Sequence, residues 1–264
     1  MELENVATGD IDIEDFLNFE EEKSKQVPYI DKLKKEFYPG DACLGCGPQI
    51  VLKLIMQMLP NHAIVTSDRY IPGSGTPCAP NMVRDKILVS RDPMRFSQAL
   101  SEDKNTVCFI DEKTFLQSPY KKGNYVLICF NTTHDSIWKH MYAYQPNYMA
   151  TASIGFIEDF LVKLHRAGEI KKSCFIDICS PCYVKYGFSC SESCAVARSA
   201  VSTGLWPLFE LKAGKFHLSH RPEMESINNF FSVAKKAHSG NREDIQHALN
   251  AKWKKILLGK FWEM

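Results

Sequence analysis

The chain has 264 residues, enough for one large domain or two small ones, and its 45% hydrophobic and 24% charged residues are those of a folded globular protein. Lys+Arg 32 against Asp+Glu 31 leaves a formal charge of +1, which argues against a broad basic nucleic-acid face, though not against a local patch. Apolar runs are too short to span a bilayer. The acidic start Met1-Glu2-Leu3-Glu4 does not read as a secretory signal, so a cytoplasmic protein is expected.

Residues 1–36 read as an acidic arm, in which Ile11, Ile13, Phe16, Leu17 and Phe19 interleave with Asp10, Asp12, Glu14, Asp15 and Glu20. Five large apolar side chains fit a segment that docks on a partner subunit better than a free solvated tail. Residues 37–264 read as one domain. It opens on Cys43-Leu44-Gly45-Cys46-Gly47, and the apolar spacing of Val51, Leu52, Leu54, Ile55, Met58 and Leu59 predicts a helix over 48–59. A strand at 63–66 follows, then a Pro/Gly-rich loop, 70–80, that carries Cys78. Further strands are predicted at 86–90, 106–110, 125–130, 174–178 and 208–211, and helices at 155–167, 194–204 and 227–237. A closing helix over 242–258 puts Ile245, Leu249, Trp253 and Ile256 on one face. Strands alternating with helices predict an α/β domain, a mainly parallel sheet flanked by helices, with irregular cysteine-bearing loops. In such sheets ligands sit beyond the carboxyl ends of the strands, here the loops after Thr66, Ile110, Phe130 and Ile178.

Ten cysteines exceed the usual share for such a chain. Disulfides suit small secreted domains, which this chain does not resemble. Cys108, Cys129 and Cys174 lie in strand-like runs, where a thiol acts as a small hydrophobe. Cys43, Cys46, Cys78, Cys179, Cys182, Cys190 and Cys194 lie near turn residues. The pair Cys43 and Cys46 can bind one metal or cluster, with Gly45 and Gly47 giving the backbone room to wrap it. Cys179-Ser180-Pro181-Cys182 supplies a second pair, so a four-cysteine zinc site is an alternative. The long interval between the pairs favours an iron–sulfur cluster assembled from distant cysteines.

The segment Asp41-Ala42-Cys43-Leu44-Gly45-Cys46-Gly47 and the helix after it resemble the opening of the beta subunit of 2-oxoacid:ferredoxin oxidoreductases, the pyruvate synthase family. Ser180-Pro181-Cys182, the stretch from Ala195 to Glu210, and the tail from Arg242 to Leu257 are similar to that family's later motifs, in the same order. The resemblance implies a thiamine-diphosphate-binding fold, a 4Fe–4S cluster, thiamine pyrophosphate with magnesium, partner subunits in a hetero-oligomer, and electrons passed singly to a ferredoxin-like acceptor. Cys43 and Cys46 match the first two cluster ligands and Cys182 the last. The third ligand position has no cysteine. Cys78 in the following loop is the preferred substitute on thiolate softness, with Asp68, Cys179 or an open position as alternatives.

The family's Gly-Asp-Gly thiamine motif aligns with Ile110-Asp111-Glu112, which keeps the acid and replaces both glycines. Asn131 matches the magnesium-site asparagine. Two readings follow: a thiamine-dependent beta-type subunit with one cluster, or a relative that kept fold and cluster, lost thiamine, and serves in electron transfer or as scaffold. His134 and Asp135 could act as acid and base, and Arg69, Arg84 and Arg91 could bind an anion. A loop pair and surface ion pairing are the plainer accounts of these residues. Cys190 and Cys194 could face a second cluster or simply pack, and Lys252 to Lys255 read as the solvated face of the last helix.

Overall fold

The computed structural model describes residues 46–67, 87–118, 120, 122–132, 137–237 and 240–258. The acidic arm, Cys43, Gly45, Asp68, Arg69, Cys78, Arg84, His134 and Asp135 lie outside the described residues. The elements run α1 (Gly47–Met58), β1 (Ala63–Thr66), β2 (Ile87–Val89), α2 (Pro93–Leu100), β3 (Thr106–Asp111), α3 (Glu112–Gln117), β4 (Val126–Asn131), α4 (Ile137–Tyr142) and β5 (Tyr148–Ser153). They continue through α5 (Ile157–Glu169), β6 (Cys174–Cys179), α6 (Tyr183–Tyr186), a 3-10 turn (Cys190–Glu192), α7 (Ser193–Ser202), β7 (Leu208–Lys212), β8 (Lys215–His220), α8 (Ile227–Val233) and α9 (Arg242–Leu257).

One eight-stranded sheet in the order β2-β1-β3-β4-β6-β5-β7-β8 organises the chain. β1 to β6 pair in parallel, and β7 and β8 add antiparallel at one edge. The expected α/β architecture is therefore present. β3, β4 and β6 are buried along their whole length because helices cover both faces. Side chains alternate between two cores. Val107, Phe109, Ile128 and Phe130 face α1, α5, α7 and α8, whereas Cys108, Ile110, Leu127 and Cys129 face α2, α3, α4 and α9.

Cys108, Cys129 and Cys174 are buried core residues, as the strand-like runs predicted. Burial pushes the thiols of Cys108 and Cys174 up to about 12, and that of Cys129 well above the ordinary range. The closing helix buries Leu249, Trp253 and Ile256 and packs Ile245 at its margin, as expected. Its basic stretch divides: Lys254 and Lys255 are exposed, while Trp253 is buried and donates its indole N–H to Gly204 O at 2.7 Å.

Strand β5 is a departure from the sequence pattern. Tyr-Met-Ala-Thr-Ala-Ser has no apolar run, yet every residue is buried. The Thr151 hydroxyl donates to Pro207 O at 2.6 Å and accepts from Phe209 N at 3.0 Å, so its polarity is used inside the sheet. Nearby, Lys163 is fully buried, and its ammonium donates to Asp159 Oδ2 at 2.6 Å, Thr151 O at 2.8 Å and Ser219 Oγ at 2.6 Å. All of its protons are engaged, which ties α5 to β5 and β8. Arg166 and Tyr148 meet the buried Glu210 in the same region, Arg166 at 2.7 Å and the phenol of Tyr148 at 2.8 Å.

Breaking one side of a buried ion pair leaves an uncompensated charge. Lys163→Met is therefore expected to cost about 3–5 kcal/mol in urea unfolding, with Lys163→Met/Asp159→Leu recovering most of it. A loss below about 1 kcal/mol, the size seen for exposed pairs, would contradict this role.

Candidate functional site

The carboxyl ends of the parallel strands β1, β3, β4, β6 and β5 lie along one edge of the sheet, in the register Asp111↔Phe130, Asn131↔Cys179 and Ser153↔Cys179. Two clusters of chemistry-bearing residues meet this edge. One is built around cysteine, the other around carboxylates.

The cysteine side begins with α1. Pro48 sits in its first turn, where a missing N–H costs no helix bond, and Cys46 is its N-cap without a side-chain capping bond. Gly47 is pressed against the turn that follows β6. A Cβ built on Gly47 would lie 2.0 Å from Ser180 Oγ and 3.1 Å from Ile154 Cδ1, so a side chain here would displace the Ser180 hydroxyl and press on Ile154. Ser180 is held in turn by its backbone N–H, which donates to Asn131 O at 2.8 Å. Cys182, two residues further on, is the N-cap of α6. The fold thus brings the Cys46 and Cys182 segments together, and both thiols are half-buried rather than sealed in the core. Among the described residues no group of three or more His, Cys, Asp or Glu could hold a metal. Cys43, Gly45 and Cys78, which complete the predicted set, lie outside them.

Cys179 does not join this group. It ends β6 fully buried in the core, and burial followed by the charge of Asp177 pushes its thiol well above the ordinary range. It therefore belongs with the sheet filling, and the Cys179–Cys182 pair required by a compact zinc site is divided between core and surface. Cys190 is half-buried and Cys194 exposed, one turn from Arg198 on α7. Partial desolvation raises the Cys194 thiol, and Arg198 offsets part of that rise. Arg91 is exposed and precedes α2.

The carboxylate side is more tightly committed. Asp111 ends β3 and caps α3, accepting from Thr114 N at 2.8 Å. Glu112, buried to 8% exposure, crosses to the end of β4, where its carboxylate accepts from Thr132 Oγ1 at 2.5 Å and Thr132 N at 3.3 Å. Asn131 is fully buried and donates its amide to Asp177 Oδ1 at 3.3 Å. Asp177 Oδ2 accepts from Trp138 N at 3.2 Å. Burial holds the Asp177 carboxyl well above the usual carboxylate range, opposed by the Asn131 and Trp138 hydrogen bonds and reinforced by Glu112.

Asp111 and Asn131 therefore do stand at adjacent strand ends, as the thiamine motif requires. The surrounding residues do not fit a magnesium diphosphate. Ile110 is fully buried in the sheet, and Glu112 places a second carboxylate between the ends of β3 and β4, where glycine would let backbone amides approach phosphate. Sequence reasoning identified Asp111 and Asn131 but missed Thr132 and Asp177, which determine where those side chains point. It also missed Ser180, for which the only signal was its place in Cys-Ser-Pro-Cys.

No family model matches the chain. It is 34% identical over 97 residues to the pyruvate synthase subunit PorB of Methanothermobacter marburgensis, a match covering 36% of this chain and 34% of the relative. It is 34% identical over 107 residues to the ketoisovalerate oxidoreductase subunit VorB of Pyrococcus furiosus, covering 39% of this chain and 34% of that protein. The matched segments thus span about a third of the length of these relatives. A 2-oxoglutarate:ferredoxin oxidoreductase from Magnetococcus marinus, solved with 2-oxoglutarate, coenzyme A and succinyl-CoA bound, overlays at a TM-score of 0.46 and 13% identity, covering 82% of this chain and 94% of that one. The PorB and VorB similarities are of the same kind as the resemblance read from the sequence.

The committed carboxylates generate a binding prediction. Calorimetric titration of this protein, alone and with its partner subunits, with thiamine diphosphate and Mg²⁺ is expected to show no saturable uptake that depends on Asp111. Micromolar binding abolished by Asp111→Ala would contradict a closed edge.

Proposed function

We propose that this chain is a beta-type subunit of a 2-oxoacid:ferredoxin oxidoreductase-like assembly, in which it holds an iron–sulfur cluster for single-electron transfer and does not itself hold thiamine diphosphate. The observation that carries the reading is the contact of Gly47 with Ser180, which joins the Cys46 and Cys182 segments at the carboxyl edge. Sequence similarity to PorB and VorB subunits supports the assembly, and the commitment of Glu112 to Thr132 supports the loss of thiamine.

In this reading Cys43, Cys46 and Cys182 ligate the cluster, and Cys78 takes the remaining position. When bound, the cluster accepts and releases one electron at a time. The chain's own residues supply its setting. Gly47 leaves room for the ligand set at the amino end of α1, and the first turn carries no acidic residue to oppose its negative charge. The half-burial of Cys46 and Cys182 limits water at the ligands while leaving a path for an electron to an acceptor of ferredoxin type. The 2-oxoacid chemistry falls to partner subunits, against one of which residues 1–36 dock. Among the described residues no helix is long and apolar enough to cross a membrane, which is compatible with a cytoplasmic complex.

Protein produced with its partners and purified without oxygen is expected to contain iron and acid-labile sulfide, with broad visible absorption. Cys46→Ser and Cys182→Ser should each remove most of both. Colourless protein carrying zinc, or iron content unchanged in both variants, would overturn the proposal.

A further inference from the structure

Lys252 departs from the solvated face expected of the basic stretch in α9. The helix is pinned at Trp253, whose indole N–H is bonded to Gly204 O, and Lys252 beside it is half-buried, with its ammonium 3.4 Å from Leu205 O. An ammonium has three protons to place. This one makes a single long bond and has no carboxylate partner among the described residues. Lys163 shows how a structural lysine is satisfied in the same fold: an acid, a carbonyl and a hydroxyl take its protons. Around Lys252 the opposite holds. Burial, and then the like charge of Lys139 on α4, lower its ammonium from the usual lysine range to about 8. Lys139 is itself without a carboxylate partner among the described residues, and its ammonium lies 5.8 Å from the centroid of the Trp138 ring. It also lines an open hollow of about 670 Å³ with His140, Ala143 and Tyr144. Tyr144 is held there by a ring contact with Tyr120, 4.9 Å between centroids. The hollow therefore presents an ammonium, an imidazole and a phenol, with no acid among its described lining residues, and a second ammonium stands within electrostatic range.

We propose that Lys139 and Lys252 form an anion site between α4 and α9 that takes a phosphate group, free or carried on a small molecule whose body rests against His140 and Tyr144. Two like charges held together, with unused protons and no acid, need a counter-ion from outside the chain. Two ammonium groups suit a dianion better than a single carboxylate. Each gives a point charge rather than a fixed fork, so the pair selects for charge and the hollow selects for the body that bears it. Without its anion the pair is a cost to the fold. That gives the site a signature that a packing lysine lacks, because an apolar residue in place of Lys252 relieves the repulsion and loses the ligand.

The test is calorimetric titration of the full chain with inorganic phosphate and with glycerol 3-phosphate, paired with urea unfolding, for wild type, Lys252→Met, Lys139→Met and Lys254→Met. Wild type is expected to bind saturably, and its urea midpoint to rise with added phosphate. Lys252→Met and Lys139→Met should each weaken binding about tenfold or more, the loss of one charge-assisted bond. Lys254→Met, which removes an exposed lysine of the same helix, is expected to bind as wild type does. Without phosphate, Lys252→Met should unfold at a urea concentration equal to or above that of wild type. Tighter binding of glycerol 3-phosphate supports a phosphate carried on a small molecule, and tighter binding of inorganic phosphate supports the free ion. Absence of saturable binding of either by wild type overturns the site, as does an equal loss in Lys254→Met. Should Lys252→Met unfold at lower urea, Lys139→Met decides from its exposed position: wild-type binding overturns the site, and a tenfold loss upholds it.

Discussion

The arrangement of this molecule depends on one close approach, that of Gly47 to Ser180. Without a Cβ, the start of α1 can lie directly on the turn that leaves β6, and two cysteine segments far apart in the chain become neighbours. The sheet makes the contact reproducible. β6 is paired on both sides, with β4 and β5, so its end is fixed by two ladders before Ser180 adds its own bond to Asn131. α1 is fixed by Val51, Leu52, Leu54 and Ile55 in the core beneath. A second glycine works similarly one strand over: a Cβ on Gly155, after β5, would meet Arg198 N at 2.4 Å, so α7 can close on the same edge. Small residues at the carboxyl edge thus set the distances between elements, while the large ones below hold them.

The two halves of that edge have diverged in chemistry. On the cysteine half, a buried hydroxyl has no hydrogen-bond partner among the described residues, the helix start carries no acidic residue, and the thiols of Cys46 and Cys182 are only half-buried. On the other half, the polar groups have turned inward. Asp111 caps its own helix, Glu112 binds Thr132, and Asn131 binds Asp177, each a local bond that satisfies the protein rather than an incoming anion. The carboxylates of Asp111 and Glu112, gathered at this edge, repel phosphate. This contrast supports a chain that carries electrons within an assembly and leaves the organic cofactor to others.

Much of this was legible from residue pattern. Continuous apolar runs marked β1, β3, β4 and β6 because strands buried on both faces need no polar alternation. Their order then located the ligand edge. Cys108 and Cys129 were readable as core for the same reason. β5 was not, since Thr151 and Ser153 look like surface residues until β7 and α7 supply their partners. Lys163 likewise reads as solvated until Asp159 and Ser219 surround it. Cys179 looked like a loop ligand because Ser180-Pro181 follows it, yet the strand runs one residue further than the apolar pattern and carries its thiol into the core. The aligned acid and amide, Asp111 and Asn131, end β3 and β4, but their side-chain directions depend on Thr114 and Asp177, which no linear motif includes.

The central claim is that the cysteine half of the edge is loaded and the carboxylate half is closed. Mass spectrometry of the oxygen-free complex under non-denaturing conditions tests both halves at once, after gas-phase release of this subunit. The account predicts that the subunit carries the added mass of one 4Fe–4S cluster and none of thiamine diphosphate. A subunit that leaves the complex with thiamine diphosphate attached, or with no iron and sulfide, would contradict it.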